Sequence, residues 1–118
     1  MIPKPVEWVA STRADLKAFP SDVQRELGFA LHLVQIGATP PSAKPLHGPL
    51  RDVFAISESD PSGTYRLIYT VKIGDVVYVL HAFQKKSRRG IATPKAELDL
   101  IAQRLRDARR DYEQQTRG

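Results

Sequence analysis

The chain predicts an α+β domain, and three observations lead there. Apolar residues fall at helical spacing between Ser21 and Gly37, alternate with period two through most of Asp52 to Phe83, and return to helical spacing from Leu98 to Tyr112. Turn sequences, Asp60-Pro61-Ser62-Gly63 and Gly74-Asp75, divide the middle region, so its strands connect as hairpins. The length, 118 residues, is that of one domain able to bury a modest core without staples.

Each element has a local reason. Pro5-Val6-Glu7-Trp8-Val9-Ala10 reads as a short strand, with Pro5 suited to its first position. Ser11 and Thr12 offer caps for a helix over Arg13 to Ala18, which Phe19-Pro20 ends, because a residue before proline is pushed out of the helical region. Ser21-Asp22-Val23-Gln24 has the form of a capping box. Val23, Leu27, Ala30, Leu31 and Val34 then line one face of a second helix, stopped by Gly37, and the two helices should pack as a hairpin. Ala38 to Pro49 holds four of the nine prolines and reads as a loop crossing the molecule. Strands follow at Val53–Ile56, Tyr65–Val71 and Val76–Phe83, the last apolar on both faces and so expected at the centre of the sheet. Thr93-Pro94 supplies a cap and a proline at the first helical position. Leu98, Ile101, Leu105, Ala108 and Tyr112 step by three and four along a long final helix. The order is β-α-α-β-β-β-α: an antiparallel sheet packed by an N-terminal helical hairpin and a C-terminal helix, in one domain over residues 1–118. Glu113 to Gly118, polar and unpatterned, read as a candidate disordered tail.

Composition narrows the function. With no cysteine, thiolate nucleophiles and cysteine-ligated metals are excluded. The start has no stretch resembling a signal peptide, and the longest apolar run, Val76 to Leu80, is far short of a span of roughly 20 residues. A soluble, cytoplasmic protein without a membrane partner is the expectation. The pI is near 9.7, and the charge is local. Gln84 to Gly118 carries ten Lys/Arg against five Asp/Glu, whereas Met1 to Phe83 carries eight of each. An anionic partner therefore docks beside one strand and one helix.

The focus is Gln84-Lys85-Lys86-Ser87-Arg88-Arg89-Gly90, which follows a strand presenting His81 and Phe83 on one face. Cations take phosphates and rings stack on bases, a combination suited to single-stranded nucleic acid; the alternative is a solvated loop. Arg66 stands mid-strand on the face opposite Tyr65, Leu67 and Tyr69, where it can fork onto a phosphate or pair with Glu58 or Asp60. His32, His47 and His81 match no metal spacing. His32 reads as structural, while His47 and His81 could approach the basic segment and move protons. No Gly-x-Ser-x-Gly elbow, phosphate-cradling glycine loop or obvious carboxylate pair at a strand end is present. If RNA is cut, a metal-free route fits: the ribose 2′-hydroxyl attacks the adjacent phosphate, cations stabilise the anionic transition state, and a lysine depressed by its neighbours moves protons.

The element order, Phe19-Pro20, Gly28 through Gln35-x-Gly37, Lys44-Pro45-Leu46, Thr64-Tyr65-Arg66-Leu67-Ile68-Tyr69, and Val79-Leu80-His81-Ala82-Phe83-Gln84-Lys85-Lys86 with Thr93-Pro94 together resemble the RelE/ParE superfamily of bacterial toxins, in its phage-associated, HigB-like branch. The resemblance runs from Pro5 to about Tyr112. It implies a small RelE-like fold and the toxin of a type II toxin–antitoxin system: a ribosome-dependent mRNA endonuclease, or mRNA interferase, that cleaves A-site codons without metal or cofactor and inhibits translation. It implies Arg66, Lys85 and Lys86 as catalytic residues, with His81 a further candidate, and Arg51, Arg88, Arg89 and Lys44 as RNA- or phosphate-binding cations. The implied partners are the ribosome and mRNA, a helix-turn-helix, HigA-like antitoxin, and operator DNA through that antitoxin alone. One departure stands out. Many relatives carry Glu and Arg in the second strand where this chain has Ala55 and Ser57, so Arg51 or Arg88 must substitute or activity falls. The alternatives are a ParE-like inhibitor of DNA gyrase and a catalytically impaired RNA-binding relative.

Overall fold

The computed structural model describes residues 2–85 and 94–117. In chain order these form β1 (Val6–Trp8), α1 (Thr12–Lys17), α2 (Ser21–Gln35), β2 (Lys44–Pro45), a 3-10 turn (Gly48–Leu50), β3 (Val53–Asp60), β4 (Gly63–Ile73), β5 (Val76–Lys85) and α3 (Lys95–Arg117). The strands make one mixed sheet in the order β1-β5-β4-β3-β2. The architecture is α+β, with β5 interior as its two apolar faces demand.

Four expectations need correction. The sheet is not wholly antiparallel: β1 runs parallel to β5, with Val6 opposite Val77 and Trp8 opposite Val79. Every other strand returns by a short connection, whereas β1 reaches β5 only after α1, α2 and the strands β2 to β4 intervene, and a long crossover permits parallel pairing. The proline-rich loop contains an additional strand, β2, in which Lys44 faces Ala55 and Pro45 faces Phe54. Proline is tolerated there because β2 is an edge. The capping box does not form. Pro20 occupies the N-cap, and Gln24 Nε2 instead donates to the carbonyls of Lys17 (3.0 Å) and Phe19 (2.7 Å), joining α2 to the end of α1. Finally, residues 113–117 continue α3, where Thr116 Oγ1 donates to the Tyr112 carbonyl at 3.0 Å. Thr93 lies outside the described residues, and Pro94 directly precedes α3.

The sheet is covered on both faces. Leu16, Val23, Leu27, Leu31 and Val34 of α1 and α2 pack on Ile56, Tyr65, Leu67, Tyr69, Val77 and Val79. On the other face Ile101, Leu105 and Ala108 of α3 pack on Val53, Ala55, Ile68, Tyr78 and Leu80. The turns are as expected. Asp60 Oδ1 accepts from the Ser62 amide at 2.8 Å, closing the β3–β4 hairpin. Gly74, at φ +57, turns β4 into β5 directly beneath the Tyr112 ring, where a Cβ would lie 2.4 Å from ring atoms.

One irregularity positions everything that follows. Ile68 pairs with His81 but Tyr69 pairs with Val79, so Leu80 is an extra residue, a bulge in β5. Before it, Tyr78 and Leu80 face α3; after it, the odd-numbered residues do. The bulge brings His81, Phe83 and Lys85 onto the α3 side.

Candidate functional site

Cross-strand partners share a face of the sheet, and the register therefore assembles the site. Arg66 on β4 lies opposite Ser57 on β3 and Phe83 on β5, and Thr64 lies opposite Lys85. Arg66 and Lys85 are thus diagonal neighbours, about 7–8 Å apart at the backbone and within reach of one phosphate. Both are half-buried. Glu58 is opposite Tyr65 and so on the α2 side, and Asp60 is engaged by Ser62.

The electrostatics distinguish Lys85. Burial, and then the Arg66 guanidinium, pull its ammonium below the ordinary lysine value of 10.5. An amine shifted this way releases its proton more readily, which favours acid–base work as well as charge stabilisation.

His81 is placed differently from expectation. It is 8% exposed, and both ring nitrogens are engaged by α3: Nε2 contacts Glu97 Oε2, and Arg104 Nη1 lies 3.3 Å from Nδ1. Arg104 Nη1 also donates to the Leu80 carbonyl at 3.0 Å. Nε2 thus faces a carboxylate acceptor and Nδ1 a guanidinium donor. No ring nitrogen is left to exchange a proton with substrate. His81 ties β5 to the first turns of α3, the two stems of the 86–93 segment.

Other candidates divide. Lys44 is exposed and, as the partner of Ala55, lies on the Arg66 face two strands away. Arg51 precedes β3 and His47 precedes the 3-10 turn, both exposed. They sit beyond the Val53 end of β3, about 13 Å along the strand from Ser57, so the register does not bring Arg51 beside Arg66. His32 is exposed on α2. Lys86, Arg88 and Arg89 lie outside the described residues. Ala55 and Ser57 both occupy the Arg66 face, which puts a hydroxymethyl group opposite the guanidinium. Among the described residues no three His, Asp or Glu side chains are grouped to hold a metal ion, and no helix is long and apolar enough to cross a membrane.

Glu97 and Arg104 were missed by the sequence reading. They are seven residues apart, and Ile101, on the buried stripe, is four after Glu97 and three before Arg104. Charged residues flanking an apolar stripe at helical spacing were the available signal.

Residues 14–106 match the family described as phage-derived protein Gp49-like (DUF891). This chain belongs to that family. No curated protein matches it. Among solved structures, a chain of the toxin–antitoxin complex RelBE2 from Mycobacterium tuberculosis is similar at 27% identity, covering 71% of this chain and 100% of that one, with a TM-score of 0.49.

Proposed function

We propose that this protein is the toxin of a type II toxin–antitoxin pair and acts as a ribosome-dependent mRNA endonuclease, cutting the A-site codon without metal. The observation that carries the reading is that Arg66 and a depressed Lys85 are diagonal neighbours on one sheet face. Arg66 grips the non-bridging oxygens of the scissile phosphate. The 2′-oxygen forms a bond to phosphorus, the bond to the 5′-oxygen breaks, that oxygen takes a proton from solvent, and a cyclic phosphate and a 5′-hydroxyl remain. Lys85 accepts the 2′-proton in its neutral form or stabilises the pentavalent anion in its charged form. Lys44 and, outside the described residues, Lys86, Arg88 and Arg89 are the further candidates for phosphate binding, while Arg51 is too far along β3 to replace the arginine absent at Ser57. A helix-turn-helix, HigA-like antitoxin would neutralise the protein and carry it to operator DNA.

Primer extension on a defined mRNA, with and without translating ribosomes, tests this. Cuts at A-site codons only with ribosomes support the reading, and intact mRNA in both reactions from folded protein refutes it. Ser57 opposite Arg66 favours one second reading, an RNA-binding relative with impaired cleavage. That reading predicts ribosome association without cuts.

A further inference from the structure

The phosphate site leaves unused an aromatic stack beside it. His81 and Phe83 lie with ring centroids 4.6 Å apart and planes 20° from parallel. The inner ring, His81, is clamped by Glu97 and Arg104, and Arg104 is itself anchored on the Leu80 carbonyl. The outer ring, Phe83, is half-buried. Arg66 stands directly across from it, and Lys85 follows it on the same face.

A ring flanked by two cations matches what one nucleotide offers, a π face joined to an anion. A shelf whose backing ring is already fixed loses little freedom when a base stacks on it. We propose that Phe83 is a stacking shelf for a nucleobase of single-stranded RNA whose phosphate rests on Arg66 and Lys85, and that His81, held by Glu97 and Arg104, positions that shelf. The inference rests on the RNA reading above and adds to it a base-contacting residue and a reason for the clamp of Glu97 and Arg104 on the buried His81. Stacking discriminates weakly among bases, since each has a π face, so the shelf sets register on the strand more than codon choice.

The test is binding of a fluorescently labelled, uncleavable 2′-O-methyl RNA oligonucleotide at several salt concentrations. Phe83→Leu keeps an apolar side chain and removes the π face. It should weaken binding about tenfold, the scale of one lost base–aromatic stack, with the salt dependence unchanged. Lys85→Ala should instead flatten the salt dependence, by about one unit of log–log slope. Phe83→Trp should retain affinity and show tryptophan quenching when RNA is added. The native Trp8 packs in the α1/α2-side cluster and supplies the reference signal. In that Trp background Glu97→Ala, used where circular dichroism shows it folded, should reduce the quenching, which mere loss of stability in a folded sample would not do.

Equal affinity of Phe83→Leu and wild type overturns the shelf and leaves the phosphate site standing. A weakened Phe83→Leu whose salt slope falls with its affinity also overturns it, because charge would then have been lost. If wild type does not bind the oligonucleotide, the shelf fails on free RNA, and the primer-extension result decides the nuclease reading separately.

Discussion

Glu97→Ala measures what the His81 clamp is worth. The substitution removes the acceptor at Nε2 of a histidine that is 8% exposed, and a buried donor left unsatisfied costs about 1–3 kcal/mol. Glu97 is also the acidic residue in the first turn of α3, where a carboxylate favours the helix dipole by about 0.3–1 kcal/mol. Its side chain is 32% exposed, so water screens both contributions, and the expected net loss is about 2 kcal/mol. For a domain of this length that lowers Tm by about 8 °C. Glu97→Gln keeps an acceptor oxygen and should lose about half as much. In a His81→Leu background Glu97→Ala should cost only the dipole contribution, which makes the coupling in the double-mutant cycle about 1–2 kcal/mol. Urea unfolding followed by circular dichroism, with m shared among the variants, reads all five proteins. A midpoint for Glu97→Ala equal to wild type, or a Glu97→Gln loss as large as that of Glu97→Ala, would refute a hydrogen-bonded clamp.

Arg66→Ala with Lys85→Ala and Lys86→Ala should abolish growth inhibition while the circular dichroism spectrum stays native; full toxicity from the folded triple variant would sink the site. Lys85 is depressed in the folded state, so folding should gain stability as pH rises from its lowered value toward 10.5, a gain that Lys85→Met removes in pH-dependent urea titrations. Tyr69 acts in the opposite direction. Burial raises its phenol from 10.0 to about 12, so ionisation favours the unfolded chain and about 1.4 kcal/mol is lost at pH 11, a loss Tyr69→Phe should spare. Ser57→Arg places a second guanidinium opposite Arg66; cleavage in the primer-extension assay should rise, and an unchanged rate would show that Arg66 and Lys85 suffice.

The helices and hairpins were legible because their signals are local. Val23 to Val34 and Leu98 to Tyr112 carry helical spacing, and Asp60-Pro61-Ser62-Gly63 and Gly74-Asp75 carry turn chemistry. What was not legible depended on distant partners. Lys44-Pro45 becomes a strand only because Phe54 and Ala55 offer an open edge. The parallel pairing of β1 depends on where β5 comes to rest, and Gln24 abandons the capping box for carbonyls that the end of α1 exposes. Arg66 and Lys85 were each singled out from their own strands, yet their juxtaposition rests on register, which neither strand encodes alone.

The bulge at Leu80 shows why this matters for chemistry. Upstream, β5 must fill two cores, with Val77 and Val79 toward α2 and Tyr78 and Leu80 toward α3. Had alternation continued without interruption, His81, Phe83 and Lys85 would face the α1/α2 side and Gln84 would lie beside Arg66. One extra residue reverses the parity, so the same strand is a core strand for its first half and a site strand for its second. It also places Leu80 and His81 together on the α3 side, where a single guanidinium, Arg104, serves the carbonyl of one and the ring of the other. The clamp that holds the parity change and the ring stack beside the cations are therefore consequences of the same irregularity.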